Sequence, residues 1–172
     1  MVFTKFELTW LNGFWFSLIF ILTNFLFIKL SNNHFKKRVL KRTKNENKIF
    51  SFLEIINFFI FQFLIIHITF ISINFSGSLF LPGLFIYLLS YIFYVLSLYT
   101  YSKNNPDKPV TNGIYKYSRN PQQIFTLIMW LGIGFMLNSL LIIILLFIQL
   151  FTMFPSFLSQ EKFCTNKYGD NI

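Results

Sequence analysis

From Gln123 to Ser159 the chain carries no charged residue, and this stretch most constrains what the protein can fold into. One continuous helix of that length overshoots a hydrocarbon layer of about 30 Å. A break is therefore expected, and the sequence offers one at Asn138-Ser139, after Gly132 and Gly134. The expected product is a hairpin of two short apolar helices. Water is excluded as the general solvent by composition. Only 12% of the 172 residues are Asp, Glu, Lys or Arg, whereas 55% are hydrophobic and 26 are Phe. A soluble domain keeps about 25% of its residues charged so that its surface stays wet.

Three further apolar runs precede the hairpin. With the hairpin they give five expected spans, at about 12–30, 52–75, 79–100, 122–137 and 139–158. The first lies near the N-terminus, where a signal peptide must be weighed. It is longer than a usual signal core and no small-x-small cleavage site follows it, so it reads as a retained span. In the second, Glu54, Asn57, Gln62, His67 and Asn74 interrupt the apolar pattern without sharing one helical face, so they outline no transport path. Ser76-Gly77-Ser78 makes a turn, and Pro82 fits the first turn of the third run.

Charge sets the expected orientation. Lys36, Lys37, Arg38, Lys41, Arg42, Lys44 and Lys48 crowd the first connection. Lys103, Lys108, Lys116 and Arg119 lie in the third, and Lys162 and Lys167 in the tail. Five spans place these segments on one side, which the positive-inside rule makes cytoplasmic, with the N-terminus outside. The net charge of +9 then reflects anionic lipid nearby and not nucleic acid. The expected architecture is a single all-α integral membrane domain, multi-pass, in the plasma membrane of a prokaryote or the endoplasmic reticulum of a eukaryote. One cysteine, Cys164, excludes a disulfide framework and a multi-cysteine zinc site. His34 and His67 are too far apart in sequence to suggest a metal centre.

The chemistry must then lie in two polar segments flanking the hairpin, about 103–123 and 160–172. The first contains Val110-Thr111-Asn112-Gly113-Ile114-Tyr115-Lys116-Tyr117-Ser118-Arg119-Asn120-Pro121-Gln122-Gln123, and the second begins Gln160-Glu161 and ends near Tyr168-Gly169. This ordered set resembles the isoprenylcysteine carboxyl methyltransferase and phospholipid methyltransferase superfamily. Its members carry a V-T-x-G-x-Y-x-[YW]-x-R-H-P-x-Y segment, a two-helix hairpin, an acidic pair and an aromatic-Gly. The resemblance covers about residues 80–170.

It implies a cofactor site for S-adenosyl-L-methionine built from Lys108, Pro109, Val110, Tyr115, Arg119, Asn120, Pro121, Gln122, Gln123, Gln160 and Glu161. It also implies a lipophilic acceptor, either a phospholipid amine or a prenylcysteine carboxylate, reached from the bilayer. This chain departs from the pattern at Asn120 (usually His), Gln123 (usually Tyr) and Gln160 (usually Glu). It has no Arg in Ser156-Phe157-Leu158-Ser159, where prenylcysteine-methylating members carry one.

The residues themselves suit such a ligand. Glu161 can face cationic groups, or it can be an ordinary helix-end carboxylate. Arg119 can bind the cofactor carboxylate, or it can reach lipid phosphate. Asn120 can meet a polar ligand edge, or it can simply begin a helix before Pro121. Tyr115 can wall the adenosine or anchor at the interface. Cys164 has no activating base nearby in sequence. Two other readings use the same residues. One is a sterol-reductase-like enzyme using NADPH, with a Cys164-x-x-Lys167-Tyr168-Gly169 tail. The other is a non-catalytic membrane protein that keeps the fold. A transporter is disfavoured because paired intramembrane charges are absent.

Overall fold

The computed structural model describes residues 12–30, 48–73, 75–104 and 110–168, without the side chains of 48, 49, 156, 159, 160 and 162–168. The basic cluster Lys36–Lys44 lies outside these residues. The described chain forms five α-helices: α1 (Phe14–Leu30), α2 (Lys48–Phe70), α3 (Phe80–Lys103), α4 (Pro121–Met136) and α5 (Leu140–Tyr168). A short 3-10 helix, Gly113–Lys116, precedes α4. No strand occurs among the described residues, only an isolated antiparallel bridge between Asn12 and Ser72. Two helices, over Phe50–Phe70 and Phe80–Lys103, are long and apolar enough to cross a membrane. Phe14–Leu30, Pro121–Met136 and Leu140–Pro155 are shorter apolar helices.

The helices turn bulky apolar side chains outward as well as inward. Phe58, Phe59, Phe85, Phe147 and Phe151 are all exposed, a distribution that suits hydrocarbon around the bundle. The interior is aromatic. Phe20 of α1 packs its ring 5.4 Å from Trp130, 5.5 Å from Tyr94 and 6.0 Å from Phe61, so one side chain ties α1 to α4, α3 and α2. Hydrogen bonds between helices add to this. The Thr23 and Tyr91 hydroxyls lie 2.7 Å apart, and Tyr94 donates to Asn24 Oδ1 at 2.7 Å. Such bonds hold helices together where the surrounding lipid is as apolar as the side chains.

The closest helix pair is α3 with α4, and glycine is the reason. A Cβ on Gly132 would stand 2.7 Å from the Tyr87 backbone nitrogen and 2.8 Å from the Gly83 carbonyl oxygen. Gly83 is equally confined, its Cβ position lying 2.6 Å from the Gly132 carbonyl oxygen. Each glycine thus lets the opposing backbone come within direct contact.

The expected break between the last two helices falls at Leu137–Ser139. Asn138 takes a positive φ of 50°. Its N–H donates to the Phe135 carbonyl at 3.0 Å, and that of Ser139 to the Gly134 carbonyl at 3.0 Å. This bonding terminates α4 with a left-handed residue, for which Asn is the usual choice after Gly. α5 continues beyond the apolar stretch to Tyr168, with Pro155 inside it, so the acidic segment is helical.

Helix direction sorts the ends. The Gly13 N–H donates to the Ile71 carbonyl at 2.9 Å, joining the start of α1 to the end of α2. Gly83, near the start of α3, faces Met136 at the end of α4. The opposite end of the bundle holds the end of α3, the 3-10 helix and the start of α4. It also holds Lys29, Lys103, Lys116 and Arg119.

Candidate functional site

The polar segment before α4 is shaped by the last turn of α3. The Asn104 side-chain amide donates to the Thr100 carbonyl at 2.7 Å and to Asn112 Oδ1 at 2.9 Å. Gly113 follows with a φ of +59° and packs against the Thr100 side chain, where a Cβ would stand 3.3 Å away. Glycine is needed at this position because an L side chain is strained there. The reversal starts the 3-10 turn, with Tyr115 N–H donating to the Asn112 carbonyl at 3.2 Å and Tyr117 N–H to the Ile114 carbonyl at 3.1 Å. The Tyr115 ring stacks on Tyr101 with centroids 6.0 Å apart. Tyr117 is 88% exposed, so it projects away from the protein.

Pro121 begins α4 and is buried. Its fixed φ suits the first helical position, and its missing N–H costs nothing there. Asn120 precedes it in a non-helical conformation and makes no capping bond with its side chain. Its carbonyl accepts from Ile124 N–H at 3.2 Å, and its own N–H donates to Ser118 Oγ at 3.2 Å. The Asn120 amide is therefore not spent on starting the helix.

Arg119 and Glu161 come from the two polar segments, separated in sequence by the whole hairpin. Arg119 Nη1 donates to Glu161 Oε1 at 3.1 Å, with side chains 45% and 57% exposed. An ion pair so exposed contributes little to folding, typically about 0–1 kcal/mol. Its information is spatial: the hairpin brings both charges to one end of the bundle. Beside Arg119, in the first turn of α4, Gln122 Nε2 and Gln123 Oε1 are buried and have no hydrogen-bond partner. One is a donor and the other an acceptor.

Of the residues singled out from sequence, Tyr115, Arg119, Asn120, Pro121, Gln122, Gln123 and Glu161 thus gather around the start of α4 and the distal part of α5. Val110 lies half-buried at the head of the same segment. Lys108 and Pro109 lie outside the described residues, as do the side chains of Gln160 and Cys164. Among the described residues no group of His, Cys, Asp and Glu could hold a metal ion. Sequence reasoning did not single out Thr100 and Asn104, which shape the turn; Tyr101 read only as a tyrosine for packing or interfacial anchoring.

A family model described as phospholipid methyltransferase matches residues 72–171, more than half of the chain. No curated protein and no solved structure matches it.

Proposed function

Because the chain belongs to the phospholipid methyltransferase family, as the match over residues 72–171 shows, we propose that it is a membrane enzyme transferring a methyl group from S-adenosyl-L-methionine to a phospholipid amine. The observation that supports this reading best is the Arg119–Glu161 pair at 3.1 Å. The amino-acid end of the cofactor is a zwitterion, and it can be exchanged into that pair without leaving a charge uncompensated. Arg119 then takes the carboxylate and Glu161 takes the ammonium. The orphaned amides fit the rest of the group. Gln122 Nε2 can donate to a ring nitrogen of the adenine, and Gln123 Oε1 can accept from its amino group. The stacked Tyr101–Tyr115 pair supplies aromatic surface at the same end.

When bound, the cofactor supplies an electrophilic methyl group that needs little further activation. The work left to the protein is positioning and the exclusion of water. The helices would hold the acceptor at bilayer depth while the polar segments hold the cofactor from the aqueous side. This division requires the polar segments to face the cytoplasm, consistent with five spans and an external N-terminus. Reporter fusions at residues 34–48, 102–120 and the C-terminus should all read cytoplasmic. An external C-terminal reporter would overturn the five-span arrangement.

The cofactor reading is tested at Glu161. Glu161→Gln removes the charge and keeps the shape. S-adenosyl-L-methionine binding, measured by calorimetry on detergent-purified protein, should weaken by about 1–3 kcal/mol, the cost of losing a charged hydrogen-bond partner. Because the pair is exposed, the melting temperature should barely move. An unchanged dissociation constant in a folded variant would return Glu161 to the role of a surface charge. Binding of NADPH in place of S-adenosyl-L-methionine by the wild-type protein would favour a reductase.

A further inference from the structure

Gln62 sits inside the apolar run of α2, about 18 Å from Phe50 and about 12 Å from Phe70 at a rise of ~1.5 Å per residue. Its side chain is exposed on the outside of the bundle and too short to reach either end of the run. Among the described residues, every other exposed polar or charged side chain of the five helices lies within two turns of a helix end. No hydrogen bond joins Gln62 to another described residue. A carboxamide turned towards hydrocarbon forfeits the hydrogen bonds it makes in water, so a polar side chain at this depth marks a contact more often than a lipid face.

Gln62 also belongs to a pattern. Phe52, Ile55, Phe59 and Ile66 are exposed on the same helix, and with Gln62 they recur at intervals of three, four, three and four residues. A 3.5-residue period keeps one stripe in register with a second helix when the two cross at a shallow left-handed angle. The stripe faces away from the bundle. Asn57, whose Oδ1 lies 3.3 Å from the Thr152 hydroxyl of α5, stands about 140° around the helix from Gln62. Leu64, His67 and Ile68 are buried on the inner side. α2 precedes residue 72, where the family match begins, and carries none of the candidate site residues.

We propose that this stripe is the interface of a homodimer, in which the α2 helices of two copies pack side by side with their Gln62 carboxamides hydrogen-bonded to each other. The occupant follows from symmetry. Copies of one chain insert in one orientation, so their α2 helices run parallel and each seam residue meets its counterpart at the same depth. A carboxamide carries both donor and acceptor, and each Gln62 gives the other what hydrocarbon withholds. One polar pair among apolar positions also fixes the register, as a single buried Asn does in a coiled coil. A different partner needs a polar group of its own at that depth, whereas a second copy supplies it by identity. This inference is independent of the methyl-transfer chemistry.

The test is the monomer–dimer equilibrium of the full-length protein in phosphatidylcholine vesicles, read by single-molecule photobleaching over a range of protein-to-lipid ratios. The wild type should dimerise, and Gln62→Leu should raise the dissociation constant about tenfold, as expected for loss of interhelical hydrogen bonding. Its melting temperature should not fall, because Gln62 faces away from the core. Gln62→Asn, which keeps a carboxamide, should lose less. Phe59→Cys and Ile66→Cys, each combined with Cys164→Ser, should form disulfide-linked dimers under mild oxidation. Phe85→Cys in the same background, on the exposed side of α3, should not. A wild type that stays monomeric would overturn the proposal and leave the stripe to lipid. A Gln62→Leu protein that dimerises as tightly as the wild type, or cross-linking at position 85 and not on α2, would equally overturn it.

Discussion

Gly132→Leu should prevent accumulation of a folded protein. The clash it creates is with backbone, at 2.7 Å from the Tyr87 nitrogen and 2.8 Å from the Gly83 carbonyl oxygen. No rotamer change relieves such a contact, so α3 and α4 must move apart. Overpacking a core that can adjust costs about 1–3 kcal/mol, and one that cannot costs more. Separation here also opens the layer of Met129, Trp130 and Ile133, all fully buried. It further displaces the start of α4 from the 3-10 turn seated on α3. Fluorescence-detected size exclusion and thermal unfolding in detergent provide the measurement. Gly132→Ala should melt well below the wild type, because even one methyl meets backbone. Gly134→Ala should cost much less, because its nearest neighbour is the Ile142 side chain at 3.2 Å, which can yield. Equal melting of Gly132→Leu and the wild type would show that the crossing is looser than these contacts require.

That crossing also illustrates what the sequence could not convey. The apolar runs, the break near Asn138 and the two polar segments were legible because lipid imposes length and backbone satisfaction on any spanning helix. The approach of Arg119 to Glu161 followed from the hairpin between them. Helix partners were another matter. Helices apolar on all sides mark no face for their neighbours, so nothing in the sequence paired Gly83 with Gly132. The polar residues of α2 looked scattered when read along one helix. Asn57 acquires meaning only when Thr152 of another helix stands opposite it, 95 positions later. The seating of Gly113 on Thr100 was equally hidden, because the residues that shape a turn from outside leave no spacing signal. Glu161 and Arg119 were legible as charges, but only their separation of 3.1 Å shows that each already satisfies the other.

The acceptor should be an amine-bearing phospholipid, with a prenylcysteine carboxylate a poor substrate. A carboxylate drawn into a lipid-facing site without a cation incurs a desolvation cost of several kcal/mol. The stretch Ser156-Phe157-Leu158-Ser159 supplies no cation, and Arg119 already faces Glu161 at 3.1 Å. An amine reacts in its neutral form, after losing its proton, and so brings no charge for apolar surroundings to penalise. At about 1.4 kcal/mol per tenfold, a difference of even 3 kcal/mol amounts to more than a hundredfold in kcat/KM. Labelled S-adenosyl-L-methionine supplied with phosphatidylethanolamine liposomes, and separately with farnesylcysteine analogues, makes the comparison directly. Saturable methylation of the farnesylcysteine carboxylate at a matching rate would refute the preference and direct attention to Lys162 or Arg119 as the carboxylate partner.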